Sequence, residues 1–231
     1  MSIPFLKTPE YELTLSNNVK VKYRPFLIKE EKLLLLANES DDEAEVTNAF
    51  VSVVQNCTLS NIDVTKLPVY DFEYLWINIR AKSVGEVVQM KLKCPDDENV
   101  LVDYELKIDD IKPDLNKQVN NKIEFESGYG VIMKTPTIKE LVNKRNFIDL
   151  SFDLVRDCIA QIYKDDEVFE SVDITKEQLT EFVENLTSKQ FLQIKKYFDE
   201  LPVVSHLIKY QNPKSGVEHT LLLQGASDFF Q

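Results

Sequence analysis

The chain has 231 residues, with 27 Lys and Arg against 39 Asp and Glu, a formal net charge of −12. That length suits one elaborated domain or two small ones, and roughly 70% of the surface of an unfolded chain this long can be buried. Hydrophobic residues at 43% and aromatic ones at 10% exclude a disordered chain, and the acidic balance opposes non-specific binding to a phosphate backbone.

Met1 to Lys7 lack the basic and apolar regions of a secretory signal, and the longest apolar run, Leu33 to Ala37, is far short of a membrane span. Cys57, Cys94 and Cys158 lie far apart with no CxxC pair, which fits free thiols in a reducing compartment. A soluble, cytoplasmic protein is expected. The first element reads as a hairpin: Tyr11 to Leu15 alternates apolar and polar, Asn17-Asn18 turns, and Val19 to Tyr23 alternates back, ending at Pro25. Three helices follow. Ile28 to Asn38 carries four successive leucines; the next starts at Asp41, Asp42 and Glu43, where acids meet the positive end of the helix dipole. Its stripe is Val46, Ala49, Phe50, Val53, Val54 and Cys57; the third repeats the spacing through Phe72, Leu75, Trp76 and Ile79, and Gly85 stops it.

The period then changes to two. Glu86 to Cys94 and Val100 to Leu106 make a hairpin around Pro95-Asp96-Asp97, and Ile123 to Glu126 with Val131 to Met133 make another through Gly128-Tyr129-Gly130. Residues 109–121 are polar and contain Pro113, which makes them the candidate linker between a unit at 1–108 and one at 122–231, the two together also being readable as one composite domain. Capping boxes start at Thr137, Thr175 and Thr187, each followed three residues later by Glu140, Gln178 or Gln190. Helical stripes are expected at Phe152, Val155, Ile159 and Ile162, at Leu179, Phe182, Val183 and Leu186, and at Phe191, Ile194, Tyr197 and Phe198. A hairpin, Val204 to Tyr210 and Val217 to Leu223, closes the chain around Asn212 to Gly216. Helices and hairpins in separate blocks, without βαβ alternation, define an α+β fold.

Signatures of catalysis are missing. Five glycines, at 85, 128, 130, 216 and 225, cannot build GxGxxG or a P-loop, and no GxSxG elbow occurs, so no catalytic residue and no cofactor is expected. The acids at 96–98, 109–110 and 165–167 fit no EF-hand loop and read as solvated turns. With Gln211 opposite Val217, His206 faces Leu222 and His219 faces Lys209, too far apart to share a metal. Cys94-Pro95-Asp96-Asp97 and Asn212-Pro213-Lys214-Ser215 each have the outline of a zinc knuckle, with Asp97, Asn212 and Ser215 where sulfur would stand. They read either as ordinary Pro-containing turns or as metal-free derivatives of knuckles. One thiolate cannot hold a tetrahedral structural zinc, so no metal is expected.

Val21 to Leu34 (VKYRPFLIKEEKLL), Leu67-Pro68, Arg80 to Glu86 (RAKSVGE) and the ending Leu223 to Phe230 (LQGASDFF) after Asn212-Pro213-Lys214 occur in an order that resembles the baseplate hub subunits and hub-assembly proteins of T-even-like contractile-tailed phages. The resemblance runs over most of the chain. It implies a non-enzymatic late protein of virion assembly, working in the host cytoplasm or in the tail baseplate. Its implied partners are other tail proteins, among them the baseplate hub and the tape-measure protein, with neither nucleic acid nor membrane. A permanent hub component and a transient chaperone both fit.

The family offers no catalytic residues, so the candidates are partner contacts: Arg24, Leu33, Leu34, Leu35, Leu36, Arg80, Lys82, Phe229 and Phe230. Four adjacent leucines cover over half of a short helix, so some face either a partner or this chain's own core. Arg24, Arg80 and Lys82 pair internally or with acids on a partner. Phe229 and Phe230 either fold back or dock. Two competing classes are a degenerate zinc-ribbon-like nucleic-acid-binding or regulatory module, supported by the Cys94 turn, and a hydrolase with dispersed carboxylates.

Overall fold

The computed structural model describes residues 6–40, 42–115, 119–142 and 147–228, and the fold is α+β. Strands β1 (Tyr11–Thr14) and β2 (Lys20–Tyr23) pair antiparallel around a turn in which Asn18 takes a left-handed conformation at φ 61°. Helices α1 (Ile28–Asn38), α2 (Glu43–Cys57) and α3 (Val69–Val84) follow as expected. Asp42 caps α2 by accepting from the Ala44 amide at 2.9 Å; Asp41 lies outside the described residues. The apolar stripe foreseen on α3 is wider than expected: Ile77, Asn78 and Ala81 are buried along with Phe72, Leu75, Trp76 and Ile79. A helix apolar on every side must be covered on every side.

β3 (Val87–Cys94) and β4 (Asp97–Lys107) form the long second hairpin. The polar stretch after it places Ile111 in the core and lays β5 (Lys112–Pro113) beside the terminal hairpin; residues 116–118 lie outside the description. β6 (Lys122–Glu124) and β7 (Tyr129–Met133) pair as expected, and Gly130 permits the approach of Tyr163, whose hydroxyl oxygen would sit 2.1 Å from a Cβ there.

After the short α4 (Ile138–Leu141), helix α5 (Phe147–Cys158) departs from expectation by stopping before Ile159. Ile159 and Ile162 belong instead to β8 (Ile159–Lys164), which pairs with β7 and with β9 (Glu167–Glu170). The residues at 155, 159 and 162 fit a helical stripe equally well. What decides is the turn at Asp165, at φ 51°, and the cross-strand pairs Ile162–Phe169 and Tyr163–Val168 that it sets up.

α6 (Lys176–Glu184) and α7 (Ser188–Asp199) start at the expected capping boxes of Thr175 and Thr187, as α4 does at Thr137. β10 (Val204–Gln211) and β11 (Glu218–Gln224) form the last hairpin, followed by the single turn α8 (Gly225–Asp228). Their register differs by one residue from that expected. Gln211 faces Glu218, His206 faces Leu223, and His219 faces Tyr210 instead of Lys209. The turn takes in Asn212 and Val217, closed by the Asn212 amide donating to the Val217 carbonyl at 2.9 Å, with Gly216 at φ 75°. A slip of one residue changes the face on which a side chain meets its partner strand.

The described strands form four separate sheets, β1–β2, β3–β4, β11–β10–β5 and β6–β7–β8–β9, and they serve two cores. The first surrounds α3 with Val21, Val53, Leu106, Ile111, Ile138, Val204, Ile208 and Leu223, so the last hairpin packs into the amino-terminal core. In the second, Val131 and Met133 meet Val155, Ile159, Leu179, Ile194 and Tyr197.

Asp71 joins the first hairpin to α3. It is wholly buried in the first turn of the helix and accepts from both the Ser16 amide, at 3.0 Å, and the Ser16 hydroxyl, at 2.6 Å. Removing the carboxylate strands a backbone donor, whereas removing the hydroxyl alone does not. Asp71→Ala is therefore expected to lower unfolding stability by about 2–4 kcal/mol and Ser16→Ala by about 1 kcal/mol, read from urea midpoints.

Candidate functional site

Arg24 follows β2 and turns inward. Its guanidinium donates to the Pro25 carbonyl at 2.9 Å, the Asn56 carbonyl at 3.0 Å and Glu30 Oε1 at 3.1 Å, while Glu30 Oε2 accepts from the Leu27 amide at 2.9 Å. Glu30 is buried, and the pair rivets β2 and the end of α2 to the start of α1. Burial pushes the Glu30 carboxyl up, but the hydrogen bonds from Arg24 and the Leu27 amide outweigh it and hold the group below its ordinary value. Lys82 pairs with Glu86 and lies 5.2 Å from the centre of the Tyr11 ring.

The four leucines part company. Leu34 packs against the first core, while Leu33, Leu35 and Leu36 are exposed, Leu35 to 63%. Leu34 and Leu35 border a groove of about 860 Å³ between α1, α2, α3 and α4, whose walls include Phe50, Phe72, Trp76 and Ile138. Trp76 fixes the floor, edge-on to Phe50 with centroids 5.1 Å apart and stacked on Phe26 at 6.2 Å. Arg80, Glu31 and Glu73 supply charge to the same groove. The structure thus brings Leu34, Leu35 and Arg80 together and leaves Arg24 and Lys82 outside the groove lining. Phe229 and Phe230 lie outside the described residues.

A second constellation lies where the turns of β3–β4 and β10–β11 meet. Asp96 accepts from Asn212 Nδ2 at 3.0 Å on each oxygen and from the Ser215 hydroxyl at 2.5 Å, and it contacts His219 Nε2 at 2.7 Å. Hydrogen bonds from Ser215, Asn212 and His219 hold its carboxyl well below the carboxylate range. Lys214 pairs with Asp97 at 3.5 Å, and the Tyr210 hydroxyl donates to the Lys93 carbonyl at 2.7 Å. One ligand atom each of Cys94, Asp96 and His219 lie within 4.8 Å of one another. The two knuckle-like outlines do face each other, a relation visible in the sequence only as parallel patterns. His219 was missed because the expected register aligned it with Lys209, which faces solvent, whereas Tyr210, its true neighbour, packs against the first core.

All three cysteines are free and buried, and burial pushes the Cys57 thiol up to about 11. Among the described residues, no helix is long and apolar enough to cross a membrane.

The family described as T4 bacteriophage base plate protein matches residues 8–231, nearly the whole chain, and the protein belongs to that family. Neither the curated proteins nor the solved structures yield a match. Membership assigns the chain to the baseplate of a T4-like phage tail and to the company of other baseplate and tail proteins.

The Arg24–Glu30 rivet makes the amino-terminal core sensitive to acid. A carboxyl held below its unfolded value, ordinarily about 4.3, gives stability that is full above that value and lost as pH falls through the folded one. Glu30→Gln should cost about 2 kcal/mol at pH 7 and flatten the loss of stability below about pH 5, as followed by urea unfolding across that range.

Proposed function

We propose that this protein builds the baseplate hub through protein–protein contacts, without chemical catalysis. The observation that carries the reading is the family match over residues 8–231. The exposed leucines of α1 beside an apolar groove support it, because the centre of an interface is an apolar anchor in a desolvated pocket. In this reading the contact surface is the exposed side of α1 with the groove behind it. An apolar segment of another tail protein lies across Leu35 and Leu36, and the charges of Arg80, Glu31 and Glu73 set its register at the rim. A hub component and a transient assembly chaperone, with the tape-measure protein as client, would use the same surface.

Quantitative mass spectrometry of purified virions beside infected-cell lysate separates these two roles. A few copies per particle identify a hub component, and abundance in lysate with absence from particles identifies an assembly factor. Co-expression with the tail proteins that captures none of them sinks both.

The surface itself is tested by charge. Leu35→Asp and Leu36→Asp replace exposed residues, so stability should move by no more than about 0.5 kcal/mol. Affinity for the tail partner should fall about 10–100-fold, the worth of one buried leucine, with a matching loss of infectious particles on complementation. Leu192→Asp, at an exposed position of α7, should leave assembly unchanged.

A further inference from the structure

The meeting of the two turns holds more than a hydrogen-bonded clasp requires. Asn212 and Ser215 already satisfy one Asp96 oxygen, and Asn212 reaches the other as well. Around this carboxylate stand two further groups of a different kind: the buried sulfur of Cys94 from one hairpin and the imidazole of His219 from the other. We infer that Cys94 Sγ, Asp96 Oδ1 and His219 Nε2 form a binding site for one divalent transition metal ion of the zinc type, joining the β3–β4 and β10–β11 hairpins.

The donor set of thiolate, carboxylate and imidazole is one that zinc and cobalt accept, and calcium and magnesium do not. Bond lengths of about 2.0–2.3 Å put the ligand atoms of a tetrahedral zinc roughly 3.3–3.6 Å apart. Donors within 4.8 Å of one another reach that spacing by side-chain movements of about an ångström. The carboxylate is already oriented, since Asn212 Nδ2 and the Ser215 hydroxyl hold Oδ2, as partners of a metal-ligating carboxylate do. On binding, the metal displaces the 2.7 Å contact between His219 and Asp96: the Nε2 proton is given up to solvent as the neutral ring takes its proton on Nδ1, the Cys94 thiol proton passes to solvent, and water takes the fourth position. The expectation of no metal counted sulfur positions within the two turns. His219 stands outside both, in the strand beyond.

The test uses the full chain, stripped with chelator and titrated with Zn²⁺ by calorimetry and with Co²⁺ by absorption spectroscopy. The expected result is one equivalent of either metal, a thiolate-to-cobalt charge-transfer band, and a higher thermal midpoint with Zn²⁺. Cys94→Ser should abolish the band. His219→Asn should weaken Zn²⁺ by more than about 100-fold, and Ser215→Ala by about 10-fold, the scale on which outer-shell partners act. His206→Asn should change nothing. If Cys94→Ser fails to fold, as circular dichroism would report, His219→Asn decides alone. Absence of uptake by the native chain, or uptake equal in the native and His219→Asn proteins, overturns the site.

Discussion

Helix α3 has almost no side to give to water. Phe72, Leu75, Trp76, Ile77, Ile79 and Ala81 are all buried, and so are its polar members Asp71 and Asn78. Each buried polar group needs its own partner: Asp71 has Ser16, and Asn78 donates from its side chain to the Tyr74 carbonyl at 2.8 Å. The rest of the first core is a set of covers for this helix. The first hairpin, α2, the long β3–β4 hairpin and Ile111 close part of it, but Val204, Ile208 and Leu223 close the remainder from more than a hundred residues downstream. The amino-terminal core is therefore incomplete until the last hairpin is in place. That dependence is why the terminal turn must be held so firmly against the turn of β3–β4.

Local signals carried most of the elements. Asn17-Asn18, the capping boxes at Thr137, Thr175 and Thr187, and Gly85 each name a place where the backbone has few alternatives, and the structure starts or stops there. The failures have one physical origin. Around Ile159 and in the last hairpin, the deciding interaction lies with residues distant in sequence or inside a turn whose length is not written in its composition. No glycine or proline marks the end of α5, and the stripe of 155, 159 and 162 suits both periods. The strand wins because β7 and β9 supply partners on both edges. In the terminal turn, Asn212 uses its side chain to accept from the Lys214 amide at 2.8 Å, which lengthens the loop by one residue and changes the partner of His219.

The candidate sites were legible to different degrees for the same reason. Four leucines in a row declare that one of them must be wet, but which ones depends on how α1 leans on α2 and α3. The groove needs Phe50, Trp76 and Ile138 from three separate elements, and no spacing within any one of them announces it. Arg24 shows the reverse. An arginine in an acidic chain pairs either internally or with acids on a partner, and the donors of Arg24 are taken by carbonyls and by a buried glutamate within its own fold.

How α1 is held bears on the role proposed for it. α6 and α7 stay in place by burying a face: Leu179 and Val183 on one, Ile194 and Tyr197 on the other. α1 buries only Glu30 and Ala37 fully, with Leu34 leaning on the core. Its fixed points are polar instead, the Arg24–Glu30 pair and the Leu27 amide bound to the same carboxylate. A helix anchored by its first turn through hydrogen bonds does not have to spend its leucines on its own core. Burial of a leucine is worth about 1.5–3 kcal/mol wherever it happens, and in the role proposed here the exposed Leu33, Leu35 and Leu36 gain it against another chain. Under that proposal the rivet and the exposed leucines work as one device, since a helix fixed by other means can offer its apolar side to a partner without first detaching from its own fold.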